Sequence, residues 1–197
     1  YVVASGASAG YITPGFFDNK IAIGVNEIWK RFNNLDYIVR KESVRMDASV
    51  LASKSMGFKL IASRHSCGTL HYPKNEGMDY VFDHHDNKQR NINLDVIGTD
   101  KIVVSYSTIT SAIHIAAYMG AANIILIGHD CGTLDDQINI SVYAESPYGK
   151  DFYREFITQI EPQTLALRER IKEVYDCNVY SLNPFINFGL EGHEYKR

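Results

Sequence analysis

The sequence has few cysteines, few prolines and no long apolar run, and each of these absences narrows the class of protein. Three cysteines in 197 residues, with no C-x-x-C pair, indicate neither a disulfide framework nor a zinc knuckle. No apolar stretch approaches the roughly 20 residues of a membrane span, and no signal-peptide pattern is recognised. We therefore expect a reducing, cytoplasmic setting. Tyr1 lies in an apparent strand, so further residues are expected before it.

An excess of positive charge is also missing. The chain has 20 Lys and Arg against 23 Asp and Glu, a formal net charge of −3. This balance argues against non-specific binding to nucleic acid or to anionic membranes, which requires a basic surface. The 45% hydrophobic and 22% charged fractions are ordinary for a globular domain, and 197 residues are enough for one domain with a real core.

Short apolar runs alternate with segments of helical periodicity. This alternation predicts an α/β, Rossmann-like fold: a doubly wound, mostly parallel sheet in a single domain covering residues 1–197, with irregular insertions at about 65–100 and 132–150. Strands are predicted at Tyr1–Ala4, Lys20–Val25, Asp36–Val39, Phe58–Ala62, Asp79–Phe82, Ile102–Ser105, Asn123–Ile127 and Asn178–Leu182. Helices are predicted at Glu27–Phe32, Val44–Ser55, Thr108–Met119 and about Asp151–Tyr175, where Pro162 starts a second helix or kinks one.

The run Ser5-Gly6-Ala7-Ser8 directly follows the first predicted strand. Glycine lets backbone N–H groups approach a phosphate closely, and the first βα turn of a doubly wound sheet is a favoured phosphate site. The run matches neither G-x-G-x-x-G nor a P-loop. Phosphate binding is the favoured interpretation, and a tight turn of small residues is the alternative.

The apolar run after Asn123 ends in Gly128-His129-Asp130. Polar residues at the carboxyl end of a buried strand occupy the usual place of α/β ligand sites. Asp130 is therefore a candidate for a metal ligand, a partner of a ribose hydroxyl or an acceptor of a reacting proton. The alternative is an Asp that caps the next turn.

The helix predicted at Thr108 starts with several hydroxyl side chains, including Ser107, Thr108 and Ser111. Such a start offers N–H groups and hydroxyls to an anion, although it is also typical of a simple N-cap. Asn26, at the end of the second predicted strand, is a weaker candidate for contact with a base or sugar. The stretch 83–86 (Asp-His-His-Asp) is interpreted as a solvated polar loop, because zinc needs at least three converging ligands.

Taken together, these motifs resemble the MptE-like family. That family includes 6-hydroxymethylpterin pyrophosphokinase-like proteins and the central domain of the motility accessory factors that glycosylate flagellin. The motifs come in a similar order over most of the chain: Ser5–Ser8, Asn26, Thr108–Ser111, Gly128–Asp130 and the late turn Asn183-Pro184. A more distant resemblance is to bacterial sialyltransferases that use CMP-sugars.

The chain departs from those families at three positions. Ser5 and Ala7 replace the first glycine and the proline of the family loop, and Gln159 lies near the place where sialyltransferases have a catalytic His. Sialyl transfer as such is therefore not expected. What the resemblance implies is a nucleotide-phosphate site made by Ser5, Gly6, Ser8, Asn26 and Thr108, with Asp130 beside it.

The leading hypothesis is a nucleotide-dependent transferase with a nucleotide-sugar donor and a small-molecule or glycan acceptor. Asp130 and His129 are the expected catalytic residues, and Asp130 is also the expected ligand of Mg²⁺. Two alternatives stay open: a Mg²⁺-dependent pterin-type diphosphotransferase with Asp135 and Asp136 as further ligands, and a nucleotide-binding module without catalysis. The oligomeric state is open, a homo-oligomer included. The expected nucleotide- and phosphate-binding residues are Ser5, Gly6, Ala7, Ser8, Asn26, Ser107, Thr108, Ser111 and Gly128.

Overall fold

The computed structural model describes residues 1–41, 45–65, 77–84, 92–105, 107–132 and 150–182. In these residues the chain forms one sheet of seven strands, and every strand pair is parallel. The strands are β1 (Val2–Val3), β2 (Ile23–Val25), β3 (Tyr37–Arg40), β4 (Lys59–His65), β5 (Tyr80–His84), β6 (Asn123–Ile127) and β7 (Asn178–Ser181). The predicted α/β fold with a parallel sheet is confirmed.

The strand order across the sheet is β5-β4-β3-β2-β1-β6-β7. The chain runs outward from β1 to β5 and then crosses to the other side of β1, where it adds β6 and β7. The direction of winding therefore changes between β1 and β6, as in a doubly wound Rossmann-like sheet. In sheets of this kind, ligands bind outside the carboxyl ends of the strands at the point where the winding changes.

Helices cover both faces of the sheet. The helices are α1 (Met46–Met56), α2 (Thr108–Tyr118) and α3 (Lys150–Tyr175). Val2 and Val3 of β1 are both fully buried, but Val2 belongs to the core formed with α2 and α3, and Val3 to the core formed with α1. Successive strand side chains point to opposite faces, so a sheet covered on both faces requires the nearly continuous apolar sequence of these strands.

Helix α3 continues through Pro162, so no second helix starts there. Proline lacks an N–H group and gives up one helical hydrogen bond. Ile160, Leu167 and Ile171, which lie before and after the proline, are buried. Leu167 and Ile171 pack in the core that α3 shares with the sheet, and this burial compensates for the missing hydrogen bond.

The strand predicted at Ile102–Ser105 is wrong, although its side chains are buried as expected. The backbone of this segment bonds to side chains of α2 instead of to a neighbouring strand. The N–H of Val103 donates to Nδ1 of His114 at 3.0 Å, and the hydroxyl of Ser111 donates to the carbonyl of Val103 at 2.7 Å. Side chains that satisfy a buried backbone in this way remove the need for a strand partner.

The helix predicted at Glu27–Phe32 is a single 3-10 turn at Ile28–Lys30. Its helical spacing reflects two side chains, Ile28 and Phe32, that are fully buried in the core on the α1 face. Spacing of this kind also arises when an irregular segment buries two side chains in the core. The spacing therefore indicated the two buried side chains correctly, but the predicted helix is longer than the observed turn.

Part of the first predicted insertion is regular. Asp83 and His84, expected in a solvated loop, end β5, and a 3-10 turn covers Leu94–Val96. Residues 133–149, which make up most of the second insertion, lie outside the described residues. None of the helices in the described ranges is long and apolar enough to cross a membrane.

His114 should make the stability of the protein depend on pH. Burial lowers the pKa of His114 to about 4, whereas a histidine side chain in the unfolded chain has a pKa of about 6.5. Between those values the unfolded state binds more protons, so stability falls as the pH drops, by up to about 1.4 kcal/mol per pH unit. His114→Asn keeps an acceptor for the Val103 N–H but removes the titrating imidazole. We therefore expect the free energy of unfolding, measured with urea between pH 7 and pH 4.5, to depend less on pH in this variant, by the equivalent of about one bound proton.

Ser111→Ala is the matched control for this prediction. It removes the other side-chain bond to Val103 but no titratable group, so it should lower stability by a similar amount at every pH. A slope that is the same in the wild type and in His114→Asn would contradict the assignment of a neutral buried imidazole.

Candidate functional site

The turns that follow β1 and β6 are in direct contact at the carboxyl edge, the edge of the sheet where all strands end. The N–H of Gly6 donates to the carbonyl of Gly128 at 2.7 Å. A Cβ on Gly6 would lie 2.4 Å from that carbonyl oxygen, and a Cβ on Gly128, whose φ is +65°, would lie 2.4 Å from the carbonyl oxygen of Ala4. Both glycines are therefore required by the approach of one turn to the other.

The buried Asp130 carboxylate holds the turn after β1 by hydrogen bonds to Ser8. Its Oδ2 accepts the backbone N–H of Ser8 at 2.8 Å, and its Oδ1 accepts the Ser8 hydroxyl. The Asp130 side chain is buried, Ser5 is half-buried, and Ala7 is buried at the start of a 3-10 turn. A carboxylate thus occupies the Ser8 N–H that the sequence assigned to a phosphate.

Asn26 and Thr108 lie together on the other side of β1. Asn26 follows β2 with a φ of +55°, and its N–H donates to the carbonyl of Val39 at 3.0 Å. The hydroxyl of Thr108, the first residue of α2, donates to Oδ1 of Asn26 at 3.2 Å. Asparagine adopts a positive φ more easily than most residues. The structure therefore brings these two predicted residues together.

Ser107 and Ser111 have different positions at the start of α2. Ser107 is the half-buried N-cap residue, and its side chain makes no capping hydrogen bond. Ser111 is fully buried, and its hydroxyl bonds to the carbonyl of Val103 inside the chain. Of these two serines, only Ser107 therefore contributes to the carboxyl edge.

His129 is buried between the turn after β6 and helix α3. Its Nε2 lies 2.8 Å from the hydroxyl of Thr164 and 3.4 Å from Sγ of Cys131. Burial lowers the pKa of His129 to about 4, so its imidazole is neutral at neutral pH. A base of that strength is poorly matched to proton transfer at pH 7, and the contacts of His129 fit a role in holding the turn against α3.

Two basic residues at the end of β3 were missed by sequence reasoning. The Lys41 ammonium donates to the carbonyl of Ser105, close to the start of α2, and Arg40 donates to the Ser49 hydroxyl at 3.2 Å. Both side chains are buried. Both residues lie at the end of an apolar strand. The same pattern identified Asp130 as a candidate, so it could also have identified Arg40 and Lys41.

Glu27 is a third residue that sequence reasoning missed. Its carboxylate is buried at the end of β2, where it accepts hydrogen bonds from Lys30 at 2.8 Å and from Arg45 at 3.0 Å. Burial alone would raise the pKa of this carboxyl, but the hydrogen bonds and charges of Lys30 and Arg45 outweigh it and lower the pKa below its usual value. Glu27 is therefore ionised at neutral pH.

The described residues do not form a site suited to Mg²⁺. In the described ranges, no group of three or more His, Cys, Asp or Glu side chains lies close enough together to hold a metal ion. Both oxygens of Asp130 accept hydrogen bonds from Ser8, whereas Mg²⁺ demands a near-octahedral set of oxygen ligands. Asp130 as a metal ligand stays a prediction.

No protein-family model matches the chain, and comparisons with curated proteins and with solved structures also gave no match. The resemblance to the MptE-like family therefore stays a prediction.

Replacing Gly6 should cost folding stability whether or not a ligand binds. In Gly6→Ala the new Cβ meets a backbone oxygen at 2.4 Å, and such overpacking costs about 1–3 kcal/mol. Gly132→Ala is the matched control, because its Cβ would meet the carbonyl oxygen of Asp130 at an ordinary 3.7 Å. Urea unfolding of both variants should separate them, and equal midpoints would contradict the close approach of the two turns.

Proposed function

We propose that this protein binds a nucleotide at the carboxyl edge between β2 and β6 and transfers a glycosyl group from a nucleotide-sugar. One observation carries the proposal: the point where the winding changes, between β1 and β6, is flanked by polar groups from four chain segments. Ligands of open α/β sheets bind in the crevice at such a point. The segments are the turn after β1 (Ser5–Ser8), the end of β2 (Asn26), the turn after β6 (Gly128–Asp130) and the start of α2 (Ser107, Thr108).

In this proposal the phosphates bind at the start of α2. The N–H groups and the dipole of a helix N-terminus favour an anion there. Three features support this position: the Ser107 side chain leaves the helix start uncapped, Thr108 and Asn26 present polar groups beside it, and Lys41 adds a positive charge at Ser105. The Ser8 N–H is the less suitable place, because the Asp130 carboxylate already bonds to it.

Asp130 serves the acceptor rather than the phosphates, because like charges repel. It lies on the β6 side of β1, whereas Asn26 lies on the β2 side. In the transfer step the Asp130 carboxylate takes the proton of an acceptor hydroxyl, whose oxygen bonds to the anomeric carbon. The bond from that carbon to the phosphate oxygen breaks, and the nucleotide leaves with the electron pair. The positive charge near α2 stabilises the leaving phosphate.

A second candidate is a nucleotide-binding module without catalysis. It is favoured by the contacts that already engage both predicted catalytic residues: Asp130 with Ser8, and the neutral His129 with Thr164. The diphosphotransferase alternative needs Mg²⁺ held by several carboxylates, and its further ligands Asp135 and Asp136 lie outside the described residues. Glycosyl transfer needs no metal in this scheme.

Nucleotide binding tests the proposal first. Thermal unfolding with CMP, CDP, UDP, GDP and ATP, each with Mg²⁺ and with EDTA, should show stabilisation by at least one of them, about 2.7 kcal/mol at 100 times its dissociation constant. Asn26→Asp should weaken that binding about tenfold or more, because it puts a negative charge beside the phosphates. The same charge near the start of α2 favours the helix dipole, so folding stability should not fall.

Asn19→Asp is the matched control for the binding test. Asn19 also has a positive φ, +61°, but is exposed ahead of β2, at the opposite edge of the sheet. This variant should bind as the wild type does. Absence of stabilisation by every nucleotide, or equal loss of binding in the two variants, would overturn the proposed site.

Asp130→Asn separates transfer from binding alone. The variant should keep nucleotide binding and lose about 100-fold or more of the release of sugar from CMP-, UDP- or GDP-sugars. Ser8→Ala is its control, because it removes the Ser8 hydroxyl but keeps the carboxylate, and it should retain most turnover. Binding without any turnover in the wild type would favour the non-catalytic module, and full turnover in Asp130→Asn would exclude the role given to Asp130.

A further inference from the structure

The two oxygens of the Glu27 carboxylate, at the end of β2, differ in their hydrogen bonds to the described residues. The residue is 1% exposed. Its Oε2 accepts from Nζ of Lys30 at 2.8 Å and from Nη1 of Arg45 at 3.0 Å, whereas Oε1 is buried and has no hydrogen-bond partner in the described part of the chain. A buried acceptor without a donor is costly to the folded state. The geometry therefore leaves a defined place for a donor.

The charges around Glu27 select the kind of donor that fits. Two cations already neutralise the carboxylate, so a third cation is not needed, and the carboxylate itself repels phosphate. A neutral hydroxyl is the complementary group. The Lys30 and Arg45 side chains that bond to Oε2 are 36% and 43% exposed, so the carboxylate lies just beneath the surface of the protein.

The position of Glu27 matches that of a ribose. Glu27 follows Asn26, whose side chain meets Thr108 at the start of α2, and adjacent Cα atoms are about 3.8 Å apart. It also stands about 20 positions after the glycine turn, at the end of the strand beside β1. In dinucleotide-binding sheets an acidic residue in this place accepts a hydrogen bond from a ribose hydroxyl.

We propose that Oε1 of Glu27 accepts a hydrogen bond from the ribose of the bound nucleotide and thereby selects ribonucleotides over deoxyribonucleotides. The inference rests on the proposed nucleotide site and adds the sugar to it. Asn26 and Glu27, two successive residues, then serve different parts of one ligand: Asn26 lies with the phosphates and Glu27 with the ribose.

The test compares the affinities of CMP, UMP, GMP and AMP with those of their 2′-deoxy and 3′-deoxy forms by calorimetry. We expect the wild type to bind at least one ribonucleotide about 10- to 100-fold more tightly than a deoxy form, the range for a hydrogen bond to a charged group. Glu27→Gln should reduce that ratio at least fivefold by weakening the ribonucleotide alone. Lys30→Met removes one ion pair but keeps the carboxylate, so it should keep the ratio.

The results distinguish the ribose assignment from the nucleotide site alone and from a purely structural role of Glu27. A ratio near one in the wild type, with nucleotides bound, overturns the ribose assignment and leaves the nucleotide site standing. Absence of binding by every nucleotide overturns both. An equal loss of the ratio in Glu27→Gln and Lys30→Met shows that Glu27 only holds the local structure. If Glu27→Gln fails to fold, Glu27→Asp keeps the charge for Arg45 but withdraws the oxygen, and an unchanged ratio there overturns the proposal.

Discussion

The close contact between the turns after β1 and β6 fixes the carboxyl edge of the sheet. Gly6 and Gly128 allow the two backbones to meet, and Asp130 then bonds to Ser8 across the junction. Because β1 and β6 are neighbours at the point where the winding changes, this contact sets the crevice between the two halves of the sheet. Ser8 and Asp130 take their positions from it.

Charge is divided across this edge. On the β2–β3 side the Glu27 carboxylate is paired with Lys30 and Arg45, and the start of α2 and the buried Lys41 add positive charge, whereas Asp130 makes the β6 side negative. An anion is therefore favoured on one side of β1 and a hydroxyl on the other, since a carboxylate accepts hydrogen bonds and repels phosphate. The proposed transfer makes use of this division, because its donor leaves as an anion and its acceptor loses a proton.

The apolar runs made the sheet predictable from sequence, and β6 was predicted with its observed bounds, Asn123–Ile127. The same rule failed at Ile102–Ser105, because a buried backbone can be satisfied by side chains such as His114, and no local pattern reveals such distant donors and acceptors. The sequence identified the glycines as functional candidates, but it did not reveal why glycine is required. Gly6 allows the backbone of Gly128 to approach closely, and this contact joins two turns that lie far apart in the sequence. Lys41 and Glu27 were passed over because single charges at strand ends usually lie in solvent.

Two successive residues at the end of β2 connect the two helices that start at this edge. Asn26, at a positive φ, meets Thr108 of α2, and Glu27 meets Arg45, the N-cap of α1. Helices α1 and α2 belong to opposite faces of the sheet, so the left-handed turn at Asn26 allows one strand end to reach both. A carboxylate near the start of α1 is favourable to the helix dipole, while the start of α2 has no carboxylate in the contacts described here. An anionic ligand at the start of α2 therefore meets no carboxylate among the described residues, whereas one at the start of α1 would lie beside Glu27.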